Sequence, residues 1–532
     1  MDNYPAVNGD EKHYDTQDKI MLNLIVCCDG TWNTPDQMDD DLPAPTNVVK
    51  LYNALETSPT QHRYYHPGVG TDGTWFHRMI GGGTGAGLNE NIMSAYGWLT
   101  QNYQPEARIW LFGFSRGAWT VRSLGGMIAR CGLLNPVASQ MDEKQRWAAI
   151  KDLFDTYKTP EDKAKPVVAT AQRAFFDTPL GTPTKHSISI EFIGVWDTVG
   201  ALGVPDDMAL LNLLDNPDNY RFHDTSLSNK VKHARHAIAI DEKRQSFSPT
   251  LWDNEAAHTD MKQLWFPGVH ADVGGGYGQS ALSDGALKWM MEEAKNCGLA
   301  FRPNTMAQLH PDYLGYLHNS VTGVFKSLKT RPRNVPCFTT QTNKLHSSAI
   351  ERHNNPPLAQ GGYWPTKVLA TGEKQTVTVF AREHWNATGL YLEAGKTWHF
   401  QAQGEWVDGD IPCGPAGCDD GKFQLSKMAH SVSSLLGKAE TLYQKFTQNH
   451  TADFWYTKRE EEHPWFALVG MVANDVPSGS QQDEKLPHEV FLIGDTTTFT
   501  PKASGYLYAF ANDAWQTYHN NRGSITLTVT CE

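Results

Sequence analysis

Residues 108–120 read Arg-Ile-Trp-Leu-Phe-Gly-Phe-Ser-Arg-Gly-Ala-Trp-Thr, an apolar run that ends in Gly113-Phe114-Ser115-Arg116-Gly117 and passes straight into the helix-compatible stretch Ala118 to Arg130. A serine hydroxyl is a poor nucleophile until a sharp strand-to-helix turn lifts it out of a sheet, and glycines two residues to either side make room for that cramped backbone. The pattern alone arises by chance in a chain rich in glycine and serine, so its context carries the reading. Ile109 to Phe112 have the texture of a buried parallel strand, and Val121, Leu124, Met127 and Ile128 follow at helical spacing. Ser115 is therefore the candidate nucleophile, against the plainer reading of a tight packing turn.

An α/β-hydrolase sheet requires an acid and then a base to follow the serine in the chain. Ser187 to Trp196 form a second strong strand with Asp197 at its carboxyl end, where open α/β sheets assemble their sites. Gln263 to Pro267 form a short strand, and the glycine-rich loop Gly268-Val269-His270-Ala271-Asp272-Val273-Gly274-Gly275-Gly276-Tyr277 can carry His270 back over the sheet. In this scheme His270 takes the proton of Ser115 and Asp197 fixes the imidazole tautomer. An isolated strand-end aspartate can equally cap its own turn, and a loop histidine can be merely packed. Asp272 is a substitute acid, and His233 and His236, in a segment Asn229 to Ile240 that reads as helical, are spare bases. An oxyanion needs donors as well: the Arg116 N–H, following the nucleophile, and Gly30 or Thr31 in the turn Asp29-Gly30-Thr31-Trp32-Asn33 after the early strand Leu22 to Cys28.

The four motifs, Asp29 to Asn33, Gly113 to Ala118, Trp196-Asp197-Thr198-Val199-Gly200 and His270 to Tyr277, together resemble a bacterial α/β-hydrolase family that includes the phospholipase effectors delivered by type VI secretion. The resemblance covers roughly residues 20–350. It implies a Ser115, Asp197, His270 triad and cleavage of fatty-acyl esters of phospholipids.

The net charge is 46 − 59 = −13, with no extended basic stripe, which argues against a nucleic-acid partner. No stretch approaches the roughly 18 apolar residues of a membrane span, and Met1 to Lys19 are polar and acidic rather than signal-like. The expectation is synthesis in the cytoplasm without a signal peptide, a course compatible with type VI export and with transient contact with a membrane surface. Eight cysteines in 532 residues do not make a disulfide scaffold. Cys27 and Cys28, adjacent in a strand, must face opposite sides of the sheet, whereas Cys413 and Cys418 flank Gly414-Pro415-Ala416-Gly417 and can close a loop disulfide.

Near residue 350 the texture changes. Pro356-Pro357 and Gly361-Gly362 read as a linker, giving an N-terminal tail over 1–20, a catalytic domain over 21–350, a linker over 351–369 and a second domain over 370–532. Short alternating strands at Gln375 to Phe380, Thr397 to Ala402, Glu489 to Ile493, Gly505 to Phe510 and Ser524 to Val529 predict an all-β sandwich. The loop Asn512 to Ser524 gathers a carboxylate and several amide oxygens, a set that suits calcium or, more plainly, an Asn/Asp-rich turn. With Gly404-Glu405-Trp406-Val407-Asp408-Gly409 and Gly414-Pro415-Ala416-Gly417, it resembles the small calcium-dependent galactose-binding lectins of the bacterial PA-I type. That resemblance implies side-chain ligation of Ca2+ by Asp513, Asn520 and Asn521, backbone carbonyls from Thr517 and the region of Asp408, and a glycan partner. It stops short of the histidine and glutamine that those lectins carry after the Gly-Pro-x-Gly turn, where this chain has Cys418-Asp419-Asp420-Gly421-Lys422.

An insertion of about residues 425–458 places Leu425, Met428, Val432, Leu435, Leu436, Leu442 and Phe446 at helical spacing, for packing, for a bilayer surface or for covering the catalytic mouth. Met208 to Leu214 is either a lid or a core helix, and Gly81 to Gly87 lacks the Gly-Lys-Ser/Thr of a phosphate loop. Three functions follow: a phospholipase-like serine esterase with a glycan-docking module, a polysaccharide acyl esterase binding its own polymer, or a lectin on a degenerate hydrolase fold.

Overall fold

The computed structural model describes residues 21–30, 36–39, 41–67, 86–160, 162–185, 187–200, 225–327, 329–418, 458–475 and 488–532. The expected N-terminal tail, Thr31, the glycine run from 81 to 85, the lid candidate at 208–214 and the insertion at 425–457 lie outside these residues.

Six strands form one parallel sheet: β1 (Asn23–Cys28), β2 (Gln61–His66), β3 (Arg108–Phe114), β4 (Ile190–Trp196), β5 (Val231–Ala239) and β6 (Met261–Phe266), in the order β2-β1-β3-β4-β5-β6. Period-two alternation sorts their side chains onto two faces. On one face Leu24, Val26, Cys28, Ile109, Leu111, Ile193 and Val195 pack against α2 (Ala86–Asn102), α3 (Arg116–Cys131) and α4 (Glu143–Lys158). On the other Ile25, Cys27, Trp110, Phe112, Phe192 and Trp196 pack against α1 (Asn47–Ala54) and α6 (Ala281–Asn296), and a one-turn helix α5 (His270–Gly274) precedes α6. Cys27 and Cys28 accordingly sit in different cores. Each large apolar side chain buried this way is worth roughly 1.5–3 kcal/mol, which holds the sheet's carboxyl edge as a rigid platform.

Two local expectations are corrected. Asn229 to Ile240 is not helical: Val231–Ala239 is β5, because the hydrogen-bonding partners on either side, β4 and β6, override the helix-favouring Lys, Arg and Ala of the segment. His270 does not ride in a flexible loop but opens α5, whose tight packing is visible at Gly274, where a Cβ would lie 1.9 Å from the Phe114 ring.

The C-terminal part is a sandwich of two antiparallel sheets. One holds β8 (Asn386–Leu392), β14 (Gly505–Ala511), β11 (Leu468–Ala473) and β12 (Glu489–Leu492) in that order. The other holds β10 (Ile411–Cys413), β9 (Trp398–Asp408), β15 (Asn521–Cys531) and β7 (Lys374–Phe380), with β13 (Thr496–Phe499) also paired to β9. Leu468, Val472, Leu507, Ala509 and Ala511 face the interior of the sandwich, while the alternate residues Val469, Met471, Ala473, Tyr506, Tyr508 and Phe510 pack on Ile238, Ile240, Trp265, Val335 and Phe338 of the catalytic part. The four-stranded sheet is therefore covered on both faces, and β11 and β14 are buried along their whole length. The segment expected to be a linker is docked, since Tyr363 Oη–H and Trp364 Nε1–H donate to the two oxygens of half-buried Asp241 at 2.7 and 2.8 Å. Cys413 and Cys418 form a disulfide.

Candidate active site

Strand order reverses about β1, so the carboxyl ends of β1 and β3 flank the switch point where open α/β sheets place ligands. Ser115 sits there, between β3 and α3, with φ 57° and ψ −123°. A non-glycine residue held in the positive-φ region costs on the order of 1–3 kcal/mol and persists only where its surroundings impose it. Here they do: a Cβ on Gly113 would lie 2.5 Å from the Gly117 carbonyl, and one on Gly117 would lie 2.2 Å from the Cys28 carbonyl. Ser115 occupies the N-cap of α3 without its hydroxyl capping the helix, leaving that oxygen for other work, and Ser115 N–H donates to Trp196 O at 3.1 Å.

That last bond ties the elbow to the end of β4, where Asp197 follows with φ 37°. His270 Nδ1–H donates to Asp197 Oδ2 at 2.5 Å, so Nε2 carries the lone pair. The imidazole lies 4.6 Å, centroid to centroid, from the ring of Phe114, the neighbour of Ser115, and 5.0 Å from Phe247. Ser115 Oγ makes no hydrogen bond to His270 in this arrangement; catalytic bonds of this kind are often long without substrate and tighten when it binds. Burial lowers the His270 pKa and Arg244 lowers it further, against the opposing pull of Asp197, so the ring is held in the neutral form a base requires.

Asp197 has a partner the sequence did not disclose. Arg333 Nη1–H and Nη2–H donate to Asp197 Oδ1 and Oδ2 at 2.7 and 2.9 Å, and Ala239 N–H adds a third bond to Oδ1 at 2.9 Å. Burial by itself would raise this carboxyl, but Arg333 and His270 hold it well below the usual carboxylate range. A second unforeseen group is Glu242, just past β5. It accepts from Arg244, from Ser320 Oγ–H at 2.8 Å and from His270 N–H at 3.3 Å, and despite burial it is drawn down to about 2. Glu242 carried no strand-end signal, because the segment before it reads as helical in the sequence. Arg333, inside Arg331-Pro332-Arg333-Asn334-Val335-Pro336, carried none, because no periodicity marks that segment.

The remaining candidates separate cleanly. Asp272 does not orient His270; its Oδ1 accepts from His318 Nδ1–H at 2.6 Å. His236 is fully buried, accepts from Thr198 N–H at 3.1 Å, and is kept neutral by burial and by Arg122, with its pKa near 3. His233 lies toward the opposite end of β5 on Asp260, 2.5 Å away. The Arg116 N–H opens α3 and has no acceptor among the described residues, as a donor to an oxyanion must; the Arg116 guanidinium is brought down to about 10 by burial. The Gly30 N–H is already engaged by Asp29 Oδ1 at 2.7 Å, and Asp29 Oδ2 accepts from Thr46 and Tyr65 hydroxyls, so Asp29 stiffens this turn.

In the sandwich, Asp408 and Asn521 are register partners across β9 and β15. Asn521 Nδ2–H donates to Asp513 Oδ2 at 3.0 Å and Asn520 Nδ2–H to Asp408 Oδ1 at 2.9 Å. The Thr517 carbonyl accepts from Asn520 N–H at 3.1 Å, closing the turn that brings these residues together. Asn520 Oδ1 and Asn521 Oδ1 are buried without a hydrogen-bond partner among the described residues, and burial together with Asp408 raises the Asp513 carboxyl to about 6. Two neighbouring carboxylates and two orphaned amide oxygens are a donor set that fits a hard divalent cation such as calcium.

A model of the catalytic domain of Tle1-like phospholipase effectors of type VI secretion matches residues 22–293, half of the chain. The chain belongs to that family. The Tle1-like domain contains Ser115, Asp197, Glu242 and His270, while Arg333 lies beyond it. An uncharacterized protein of Saccharomyces cerevisiae is 30% identical over 245 residues, 42% of this chain and 32% of its own length, so the chain spans about a third of that relative. The solved Tle1 effector bound to the VgrG spike of the type 6 secretion system aligns over 93% of this chain and 69% of its own at 14% identity, with a TM-score of 0.27. The EclA N-terminal domain, a PllA-like lectin, aligns over 30% of this chain and 95% of its own at 17% identity, with a TM-score of 0.17. These overlaps are too loose to carry a structural argument. No helix among the described residues is long and apolar enough to cross a membrane.

Proposed function

We propose that this chain is a serine carboxylic-ester hydrolase that cleaves fatty-acyl esters of phospholipids and is delivered by a type VI route. The observation that carries the reading is the buried His270–Asp197 pair at 2.5 Å, set beside the strained Ser115 elbow within a Tle1-like domain. As Ser115 Oγ bonds to the ester carbonyl carbon, its proton passes to His270 Nε2. The carbonyl oxygen takes up the negative charge, facing the Arg116 N–H. Collapse breaks the bond to the glycerol oxygen, which receives the proton from His270, and water then repeats the two steps to release the fatty acid and regenerate Ser115. Asp197 holds the tautomer and stabilises the imidazolium without itself becoming protonated.

In the sandwich, Asp513, Asn520 and Asn521 would hold calcium through side chains, and Thr517 and Asp408 through backbone carbonyls. When bound, the cation offers open coordination positions to the hydroxyls of a sugar. Docking on envelope glycans would raise the concentration of lipid ester at the catalytic mouth.

Ser115→Ala, assayed by mass spectrometry on phospholipid vesicles, is expected to lower fatty-acid release by at least the order of 10⁴-fold with the fold intact by circular dichroism. Undiminished release from the variant would remove Ser115 from the mechanism. Release from acetylated glycans but not from vesicles would redirect the substrate to polysaccharide esters.

A further inference from the structure

Arg333 is buried, lies outside the part of the chain matched by the Tle1-like model, and makes its bidentate pair with Asp197, the candidate catalytic acid. The same guanidinium donates to Ala239 O and to Phe247 O, each at 2.6 Å. It thus joins the end of β5 and the segment whose Phe247 ring packs on His270 to the acid that His270 uses. A planar fork with two parallel N–H···O bonds sets both the position and the orientation of a carboxylate, which a single point charge does not.

The strap that carries Arg333 is held on both sides by the sandwich. Trp385 Nε1–H donates to Thr330 O at 3.1 Å, Arg331 pairs with Asp475 at 3.0 Å, His488 Nε2–H donates to Pro332 O at 2.7 Å, and Asn334 Nδ2–H donates to Asn474 O at 2.9 Å. Beyond it, Val335, Cys337 and Phe338 enter the core shared with β11 and β14. Toward the catalytic side, Arg331 N–H donates to Lys243 O at 2.6 Å, next to Glu242 and Arg244. Every residue from Thr330 to Asn334 is therefore fixed, four of them by the β-sandwich.

We propose that Arg333 is a positioning residue for the triad acid, presented by a strap that the C-terminal sandwich holds in place, so that the sandwich belongs to the esterase machinery and is more than an appended binding module. The inference rests on the esterase reading above. Its electrostatic consequence has a definite sign. The charged and titratable groups facing the His270–Asp197 pair are Arg333, Arg244 and Glu242, with neutral His236 beside Asp197 and Asp272 on the same turn as His270 but bonded to His318. Asp241, behind Gly268, is engaged by Tyr363 and Trp364. Removing the Arg333 cation leaves the Asp197 charge without its counter-ion, which favours a proton on the pair and so raises the apparent pKa of the base.

The test uses the full chain and a soluble ester. Arg333→Met is expected to lower kcat at least tenfold and to move the acid limb of kcat/KM upward by about one pH unit, with a matching upward shift in the His270 imidazole titration followed by NMR. Arg333→Lys keeps the cation but loses the fork, so the limb is expected to stay near its original pH while kcat falls several-fold. A folded Arg333→Met with an unmoved limb and imidazole titration overturns the proposal. Should that variant not fold, Arg333→Lys with undiminished kcat overturns it instead. Because the NMR titration reads the pair without turnover, failure here is distinguishable from failure of the esterase reading, which Ser115→Ala reports separately.

Discussion

The three candidate triad residues, from distant parts of the chain, are each tied by their own backbone to the region past the strand ends. Ser115 N–H bonds to Trp196 O, Asp197 N–H bonds to Ala237 O at 2.7 Å, and His270 N–H bonds to Glu242. Residue type and position near strand ends are what single these three out in the sequence. The hydrogen bonds that tune them were not, since Arg333 and Glu242 act through space on a pair whose members lie far away along the chain. The tuning has a measurable outcome. An imidazole must be neutral to accept the serine proton, and burial with Arg244 opposes its protonation while Arg333 offsets the carboxylate that would promote it. The acid limb of kcat/KM for ester hydrolysis is therefore expected below the ordinary histidine value of about 6.5. A limb at pH 7 or above, measured with a substrate that does not itself titrate, would contradict this.

At the scale of elements, the strand-turn-helix of residues 108–131 behaves as its pattern required, because a continuous apolar run, two glycines and a helical repeat all point the same way. β5 did not, since its composition favours a helix and only its neighbours make it a strand. In the sandwich, the alternation of β7 was legible because one of its faces meets solvent, whereas β11, apolar throughout, shows no alternation and was missed. The elbow offers a direct stability test. In Gly117→Ala the new methyl would meet the Cys28 carbonyl, a backbone atom that cannot swing aside as a side chain would. The expected loss is about 1–3 kcal/mol, seen as a lower Tm, together with reduced ester turnover as α3 and Ser115 shift. A Tm and kcat equal to those of the parent would show that the elbow tolerates a looser contact.

At the scale of the whole molecule, the catalytic part and the sandwich are packed into one body. The four-stranded sheet turns one face to the sandwich core and the other to the catalytic part, so the two cores meet through one layer of side chains. The calcium candidate is built on the other sheet and on the loop before its long strand β15, among residues the catalytic contacts do not use. The parent chain is expected to be retained on a glycan array with calcium, and Asp513→Ala, or removal of divalent cations with a chelator, is expected to abolish that retention. Retention unchanged by either treatment would reject the site.

What the chain determined by local pattern is the parallel sheet, the elbow with Ser115 at its tip, and the places of the candidate acid Asp197 and base His270 past their strands, because periodicity, glycine placement and strand ends are properties of neighbouring residues. Only tertiary structure decided that Arg333 would clamp Asp197, that Asp272 would turn to His318, and that one sheet would be covered twice. Those outcomes depend on burial and on charge pairing between segments far apart in the chain, and such pairings leave no mark on the residues beside them.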